Sequence, residues 1–324
     1  DNIFYGTLLQ RIGPYSDFIM REAIIEAFHN NFLHTFLHYD ETPDRHSPII
    51  LIYLSLFRKF GLSIDTIRLL HINILPLCVW SFFKCLKIKF PEIKSNLLFI
   101  LSLSLFLSPP LRSLAIWPDS RVYGLLFFLI SIYFFLKFNY DKKFINAIYN
   151  TLFLCLASYI SPNFAVFFIF YFYNFYNHYK FSIKSFIILL VNLILAIPAY
   201  YYIFELKIFF ISRVAIGEVD LLTRLNLSNK ILIISSIILF YFIPFLINKK
   251  FFLNFVKDNF NNKKFLISSM FTIILIVLFS YRADFTGGGI FFQFSNLVFK
   301  NNILFFIIFF FSVLLFISLW NINI

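Results

Sequence analysis

The chain of 324 residues is 60% hydrophobic, 22% aromatic and 14% charged, with a mean hydropathy of +0.82. Soluble domains average about 45–50% apolar and about 25% charged residues, so the composition excludes an ordinary soluble protein and predicts an all-α polytopic membrane protein. The formal charge of +12 does not imply a nucleic-acid partner, because the basic residues follow the predicted membrane topology.

Residues 1–65 are the one substantial region that does not read as a ladder of spans, and we expect them to form the first extracytoplasmic loop. Residues 16–37 predict one or two amphipathic juxtamembrane helices whose apolar face lies in the headgroup layer. Residues 49–57 are apolar but too short to cross a bilayer, so they predict a short interfacial or re-entrant helix. The remaining residues, 66–324, are predicted to form the transmembrane helical domain.

The most polar stretch of the loop runs from Asp40 to Pro48 and joins three carboxylates, an arginine and a histidine. Ionisable groups at a membrane boundary are costly unless they are solvated or used, so this stretch is a candidate functional site. The alternative is a solvated loop that carries a helix cap. The candidate residues are Asp40, Glu41, Asp44, Arg45 and His46.

About nine apolar segments have the length and composition of transmembrane helices, although several are slightly short. They are separated by proline- or asparagine-containing turns or by polar loops. The nine segments are 66–84, 95–110, 121–137, 144–160, 163–178, 184–204, 230–247, 265–281 and 302–320.

The distribution of lysine predicts the orientation of these spans. Fourteen lysines fall in the loops at one side, which we expect to be the cytoplasm. The loops at the other side carry fewer basic residues, and there arginine occurs together with carboxylates. The polar stretch from Asp40 to Pro48 therefore belongs to the extracytoplasmic side.

Two further outer stretches carry acid and arginine together. Asp119 and Arg121 begin one predicted span, and a local ion pair at the span end is the alternative role for them. Arg282 and Asp284 precede three consecutive glycines, which let a backbone approach a phosphate or sugar closely; a flexible outer loop is the alternative there. Arg112, after two prolines, is either another cation for an anionic substrate or an interfacial anchor.

The histidines and cysteines predict no metal site. The three cysteines fall inside apolar segments without ligand spacing. His34 and His38 would share a helical face, but two histidines without a fixed third ligand are better read as interfacial polar residues.

Three stretches together resemble the GT-C glycosyltransferases, in particular the branch of protein mannosyltransferase-like and rhizobial lipopolysaccharide-type enzymes. Residues 46–50 (HSPII) resemble that family's His-Pro-Pro-Leu entry into a short helix. Residues 60–63 (FGLS), followed by 67–70 (IRLL), resemble its step into the next span. Residues 117–121 (WPDSR) resemble its Arg/Pro-Asp loop. The resemblance covers roughly the first 180 residues.

The resemblance implies transfer of a sugar from a polyprenyl-phosphate carrier to a glycan, lipid or protein acceptor at the outer membrane face. We expect a bacterial inner membrane and a segment preceding residue 1, so that Asp1 follows the first span and is the general base. Members of the family differ in whether a divalent cation takes part, so no cofactor is assigned.

Such a reaction needs a carboxylate to take the acceptor's proton and cations to stabilise the departing phosphate. Asp1, Asp40 and Asp119 are the predicted catalytic carboxylates. Arginine binds phosphate through two parallel hydrogen bonds, which makes arginines the predicted phosphate ligands. These are Arg45, Arg112, Arg121 and Arg282, and the predicted substrate-binding residues are Glu41, Asp44, His46 and Asp284.

A lipid-linked polysaccharide polymerase or a flippase is the alternative function. A flippase is expected to carry charged residues inside its spans, and the predicted spans are almost free of them. A non-catalytic membrane scaffold would not need the outer acid and arginine pairs.

Overall fold

The computed structural model describes residues 14–204 (43, 45 and 46 excepted), 262–278, and isolated positions at 231, 234–235, 239, 298, 306–308 and 310–312. The described residues are helical or lie in turns, and no strand occurs among them. The chain divides into two compact units, Asp1–Val214 and Ala215–Ile324. The domain boundary predicted after residue 65 separates an interfacial from a spanning region and stays a prediction.

The first unit contains eleven described α-helices, with short 3-10 segments at Tyr39–Glu41, Leu103–Leu107 and Pro162–Val166. The α-helices are α1 (Pro14–Asn30), α2 (Phe32–Leu37), α3 (Ile49–Lys59), α4 (Ile64–Ile72), α5 (Ile74–Lys89), α6 (Ser95–Ser102), α7 (Pro109–Ile116), α8 (Ser120–Asp141), α9 (Phe144–Ile160), α10 (Phe167–Tyr179) and α11 (Ile183–Phe204). In the second unit the described helix is α12 (Asn262–Val277).

Three helical segments in the described residues are long and apolar enough to cross a membrane. They are Ile64–Lys89, formed by α4 and α5 together, then α8, and then Ile183–Tyr200 within α11. They confirm the prediction of an all-helical membrane protein and three of the nine predicted spans.

The other predicted spans are not confirmed. Ser95–Leu107 and Phe144–Ile160 are shorter apolar helices. The segment predicted at 95–110 tightens into 3-10 helix after Ser102 and becomes extended at Ser108, because the following prolines cannot continue the backbone hydrogen bonds. The segment predicted at 163–178 is split between a 3-10 turn and α10. The predicted spans at 230–247 and 302–320 lie largely outside the described residues.

The short helix predicted at 49–57 is confirmed as α3, which has 11 residues and ends with Arg58 and Lys59. α1 packs along it, and Ile25, Phe28 and Leu54 are among the buried residues of their shared core. Glu26 of α1 accepts a hydrogen bond from Arg58 Nε at 2.6 Å. The apolar face of α1 is therefore covered by protein, which differs from the expected contact with lipid headgroups.

α8 and α9 form an antiparallel pair that is held by polar as well as apolar contacts. The side-chain amide of Asn150 donates hydrogen bonds to Ser131 O at 2.9 Å and to Ser131 Oγ at 3.0 Å, and both residues are fully buried. Near the start of α8, Gly124 lies so close to Ser161 and Phe164 that an added Cβ would come within 3.1 Å of the Phe164 ring. Small and hydrogen-bonding side chains at such an interface let spanning helices approach closely.

We expect Asn150→Ala to lower the free energy of unfolding by roughly 1 kcal/mol, because the substitution removes the hydrogen bonds that join α9 to Ser131 of α8. The matched control is Asn174→Ala, since the Asn174 amide donates within its own helix to Phe170 O. Thermal unfolding of both variants in detergent measures the difference. Equal midpoints for the two variants would show that the α8–α9 hydrogen bond contributes nothing.

Candidate functional site

The described residues bring two of the predicted site carboxylates together around an arginine that the sequence patterns did not single out. Arg21 Nη1 lies 2.7 Å from Asp119 Oδ2, and Arg21 Nε lies 3.3 Å from Asp44 Oδ2. Arg21 is 4% exposed, Asp119 is 1% exposed and Asp44 is 2% exposed. We call this set (Arg21, Asp44 and Asp119) the ionic cluster.

Local structure places each member of the ionic cluster. Asp119 is the N-cap of α8, and its Oδ1 accepts a hydrogen bond from the backbone N–H of Arg121 at 2.7 Å. Arg21 lies on the buried face of α1, between the buried side chains of Phe18 and Ile25. Asp44 follows the 3-10 turn Tyr39–Glu41. Three stretches far apart in sequence thus meet at the start of a spanning helix.

Aromatic and polar contacts surround the ionic cluster. The ring of Trp117 lies 5.7 Å from that of Phe18, and the guanidinium of Arg68 lies 3.9 Å above the Trp117 ring centre. His71 is buried, and its Nε2 is 2.9 Å from Leu114 O. These contacts join α1, α4 and α7 next to the start of α8, so aromatic and apolar side chains pack beside the ionic cluster.

Charge in the site is balanced locally. Arg121 Nε lies 3.8 Å from Asp119 Oδ1, which brings a second guanidinium to this carboxylate. Its side chain is 52% exposed, whereas that of Asp119 is 2% exposed. Both oxygens of Asp119 already accept hydrogen bonds. In this geometry Asp119 orients two cations, and Arg121 is the cation that reaches solvent.

The other predicted site residues are distributed as follows. Asp40 is half-buried in the 3-10 turn, and Glu41 beside it is exposed and lies 3.1 Å from His38 Nδ1. Arg112 is exposed on α7. Five predicted residues fall outside the described residues, namely Asp1, Arg45, His46, Arg282 and Asp284. Among the predicted residues, the described contacts join Asp44 with Asp119 through Arg21, and Arg121 with Asp119.

Arg21 had a signal in the sequence. In α1 it shares the helical face of Phe18, Ile25 and Phe28, at spacings of three and four residues. A charged residue on the apolar face of a helix must be paired when it is buried, so its position predicts a carboxylate partner. The pattern does not identify that partner.

In the part of the chain that the structure describes, no three His, Cys, Asp or Glu side chains lie close enough to hold a metal ion. The His34 and His38 rings do share a helical face, with centroids 4.6 Å apart.

An apolar cavity of about 470 Å³ opens between α9, α10 and α11. Ser47, three residues after Asp44, lines it together with Tyr159, Pro162 and Ala199. Deeper in the wall, the Asn192 amide donates to Cys155 Sγ at 3.5 Å. The volume lies within the range of about 300–1,000 Å³ that is usual for ligand sites.

Comparison of the chain with protein-family models, with curated proteins and with solved structures finds no match.

We expect Arg21→Met to lower the free energy of unfolding by about 3–5 kcal/mol, because it removes the buried guanidinium that pairs with two buried carboxylates. Adding Asp44→Asn to Arg21→Met should recover part of this loss, since one uncompensated charge is removed. Thermal unfolding of the single and double variants measures both effects.

The control is Asp65→Asn, which breaks the surface pair of Asp65 with Arg68 and should change the midpoint little. A midpoint for Arg21→Met that matches the control would contradict a stabilising role for the ionic cluster.

Proposed function

We propose that the protein is a GT-C-type glycosyltransferase that moves a sugar from a polyprenyl-phosphate carrier to a glycan, lipid or protein acceptor. The observation that carries the proposal is the meeting of Asp44 and Asp119 on Arg21 at the start of α8. Both acids belong to stretches that were predicted as parts of one site, and they come from regions 75 residues apart in the sequence.

The charge along α8 supports an extracytoplasmic site. The ionic cluster lies at the first residue of this 22-residue helix, and Lys142 and Lys143 follow its last residue. A rise of about 1.5 Å per residue puts these two ends roughly 33 Å apart, close to the thickness of a bilayer core. Lysine-rich ends face the cytoplasm as a rule, so the ionic cluster faces the other side, in a bacterial inner membrane on this proposal.

The apolar cavity supports a lipid-linked donor. Ser47 connects its lining to the loop that carries Asp44, and the cavity walls belong to apolar helices. A polyprenyl tail needs such a surface, and its phosphate needs to stay at the polar boundary where Arg121 is half-exposed.

The proposed reaction is a substitution at the anomeric carbon of the donor sugar. The acceptor oxygen forms the new bond to that carbon, the bond to the carrier phosphate breaks, and the phosphate leaves with the electron pair. A carboxylate takes the acceptor's proton. Asp40 and Asp1 are the proposed bases, since Asp119 is fully engaged by Arg21 and Arg121 and is better suited to positioning. Arg121 would stabilise the growing charge on the phosphate.

The test is transfer by the purified protein in liposomes that contain polyprenyl-phosphate sugars, with products identified by mass spectrometry. We expect Asp40→Asn to slow transfer by about 10²- to 10⁴-fold if Asp40 is the base. Arg121→Gln should lower kcat/KM roughly 10- to 100-fold through the loss of a charge-assisted phosphate contact. Asp119→Asn should lower activity by releasing Arg121.

The control is Asp65→Asn, which changes a surface carboxylate outside the ionic cluster and should leave transfer unchanged. Unfolding midpoints of all variants separate lost chemistry from lost folding. Movement of intact lipid-linked sugar between leaflets without transfer would contradict the proposal and favour a flippase, whereas joining of carrier-linked glycans to one another would favour a polymerase.

A further inference from the structure

The end of the helices opposite the ionic cluster is strongly basic. The α8–α9 turn carries Lys142 and Lys143, and the α10–α11 turn carries Lys180 and, one residue inside α11, Lys184. The hydroxyl of Tyr179 donates a hydrogen bond to Lys142 O at 3.0 Å, which ties the two turns together.

Asp141, the carboxylate beside these turns, does not neutralise the charge of the four lysines. Asp141 accepts hydrogen bonds from the backbone N–H of Lys143 at 3.0 Å and from the Asn146 amide at 2.9 Å. Four lysines and one carboxylate leave this end with net positive charge. The ammonium of Lys184 lies 5.3 Å from the centre of the Tyr179 ring, beside the same turn.

An apolar cavity of about 560 Å³ is bordered by one of these lysines. Lys180 belongs to its lining, together with Phe172, Tyr176, Phe186 and Leu189 of α10 and α11. A second apolar cavity, of about 410 Å³, lies along α10 and shares Phe172 and Tyr176 with the first. The two adjoining apolar cavities, the first of them bordered by Lys180, match a ligand with two hydrocarbon chains and one anionic head.

The mouth of the first cavity has the polarity of a membrane interface. Phe181 is 96% exposed in the turn beside Lys180, as expected for an aromatic side chain at headgroup level. Ser182 belongs to the cavity lining, and its buried hydroxyl has no hydrogen-bond partner among the described residues. Rotation of this side chain toward the cavity would let the hydroxyl donate to a ligand oxygen.

We propose that these two cavities bind an anionic phospholipid of the leaflet into which the lysine-rich ends project. The phosphate sits at Lys180, Lys184 and Ser182, and the two acyl chains lie on either side of the ridge formed by Phe172 and Tyr176. Basic pockets between spanning helices recognise anionic headgroups in this way. The site is distinct from the ionic cluster and does not depend on glycosyl transfer.

The test compares dioleoyl phosphatidylglycerol with dioleoyl phosphatidylcholine on the full-length chain. Native mass spectrometry after limited delipidation should show that the wild type retains the anionic lipid preferentially. Lys180→Gln combined with Lys184→Gln should reduce this preference about 10- to 30-fold, since each lysine near an anionic headgroup raises the affinity for the lipid about three- to fivefold. Leu189→Trp, which fills the cavity while keeping the charges, should also weaken retention.

The matched control is Lys87→Gln combined with Lys89→Gln, which removes the same charge from the end of α5, outside the cavity lining. Retention that falls equally in this control would overturn the proposal, because it would reflect general surface charge. A wild type without preference for the anionic lipid would overturn it. Photocrosslinks between two copies from a Phe181→benzoylphenylalanine variant that persist in both lipids would also overturn it.

Discussion

The arrangement of the residues around the start of α8 depends on the burial of one guanidinium between two carboxylates. Removing three charges from water is costly, and the cost is offset only when each charge keeps its partner and its hydrogen bonds. Arg21 therefore fixes where α1, the loop at Asp44 and the start of α8 lie relative to one another. Asp119 adds a second constraint, because the same carboxylate also caps the helix. A side chain that serves both tasks links the position of a loop to the start of a spanning helix.

Along the axis of α8, polar groups occur in three levels with different tasks. The ionic cluster holds its first turn, the Asn150–Ser131 hydrogen bonds hold its middle against α9, and the Lys142 turn ends it. Between these levels the contacts are apolar and largely aromatic, as the stacking of Phe128 on Phe164 at 4.5 Å illustrates. Such a distribution places charged side chains near the ends of the helix, where water is available. Neutral hydrogen bonds lie between the ends, where an unpaired polar group would be costly.

Hydropathy and spacing predicted the helical membrane class, the short helix α3 and the spans around α5, α8 and α11, because apolar length is a property of the sequence itself. The apolar helix found within the segment predicted at 95–110 is shorter than that segment, for a physical reason. Hydropathy counts apolar residues, whereas the change to 3-10 geometry after Ser102 depends on backbone hydrogen bonds. Ion pairs between distant side chains are harder still to predict from the sequence. The local ion pair of Asp119 with Arg121 was the alternative role predicted for these residues and is present, but the closest cation to Asp119 is Arg21, which lies 98 residues earlier, where no local pattern connects the two.

That separation also orders the events of biogenesis. Arg21 leaves the ribosome well before Asp119, and at about 5–20 residues per second the intervening chain takes roughly 5–20 seconds to make. During this interval Asp44 has already been made, whereas Asp119, the second carboxylate that pairs with Arg21, has not. Synthesis of α8 delivers it, so the ionic cluster can form only after the apolar segment of α4 and α5 and the start of α8 have both been made.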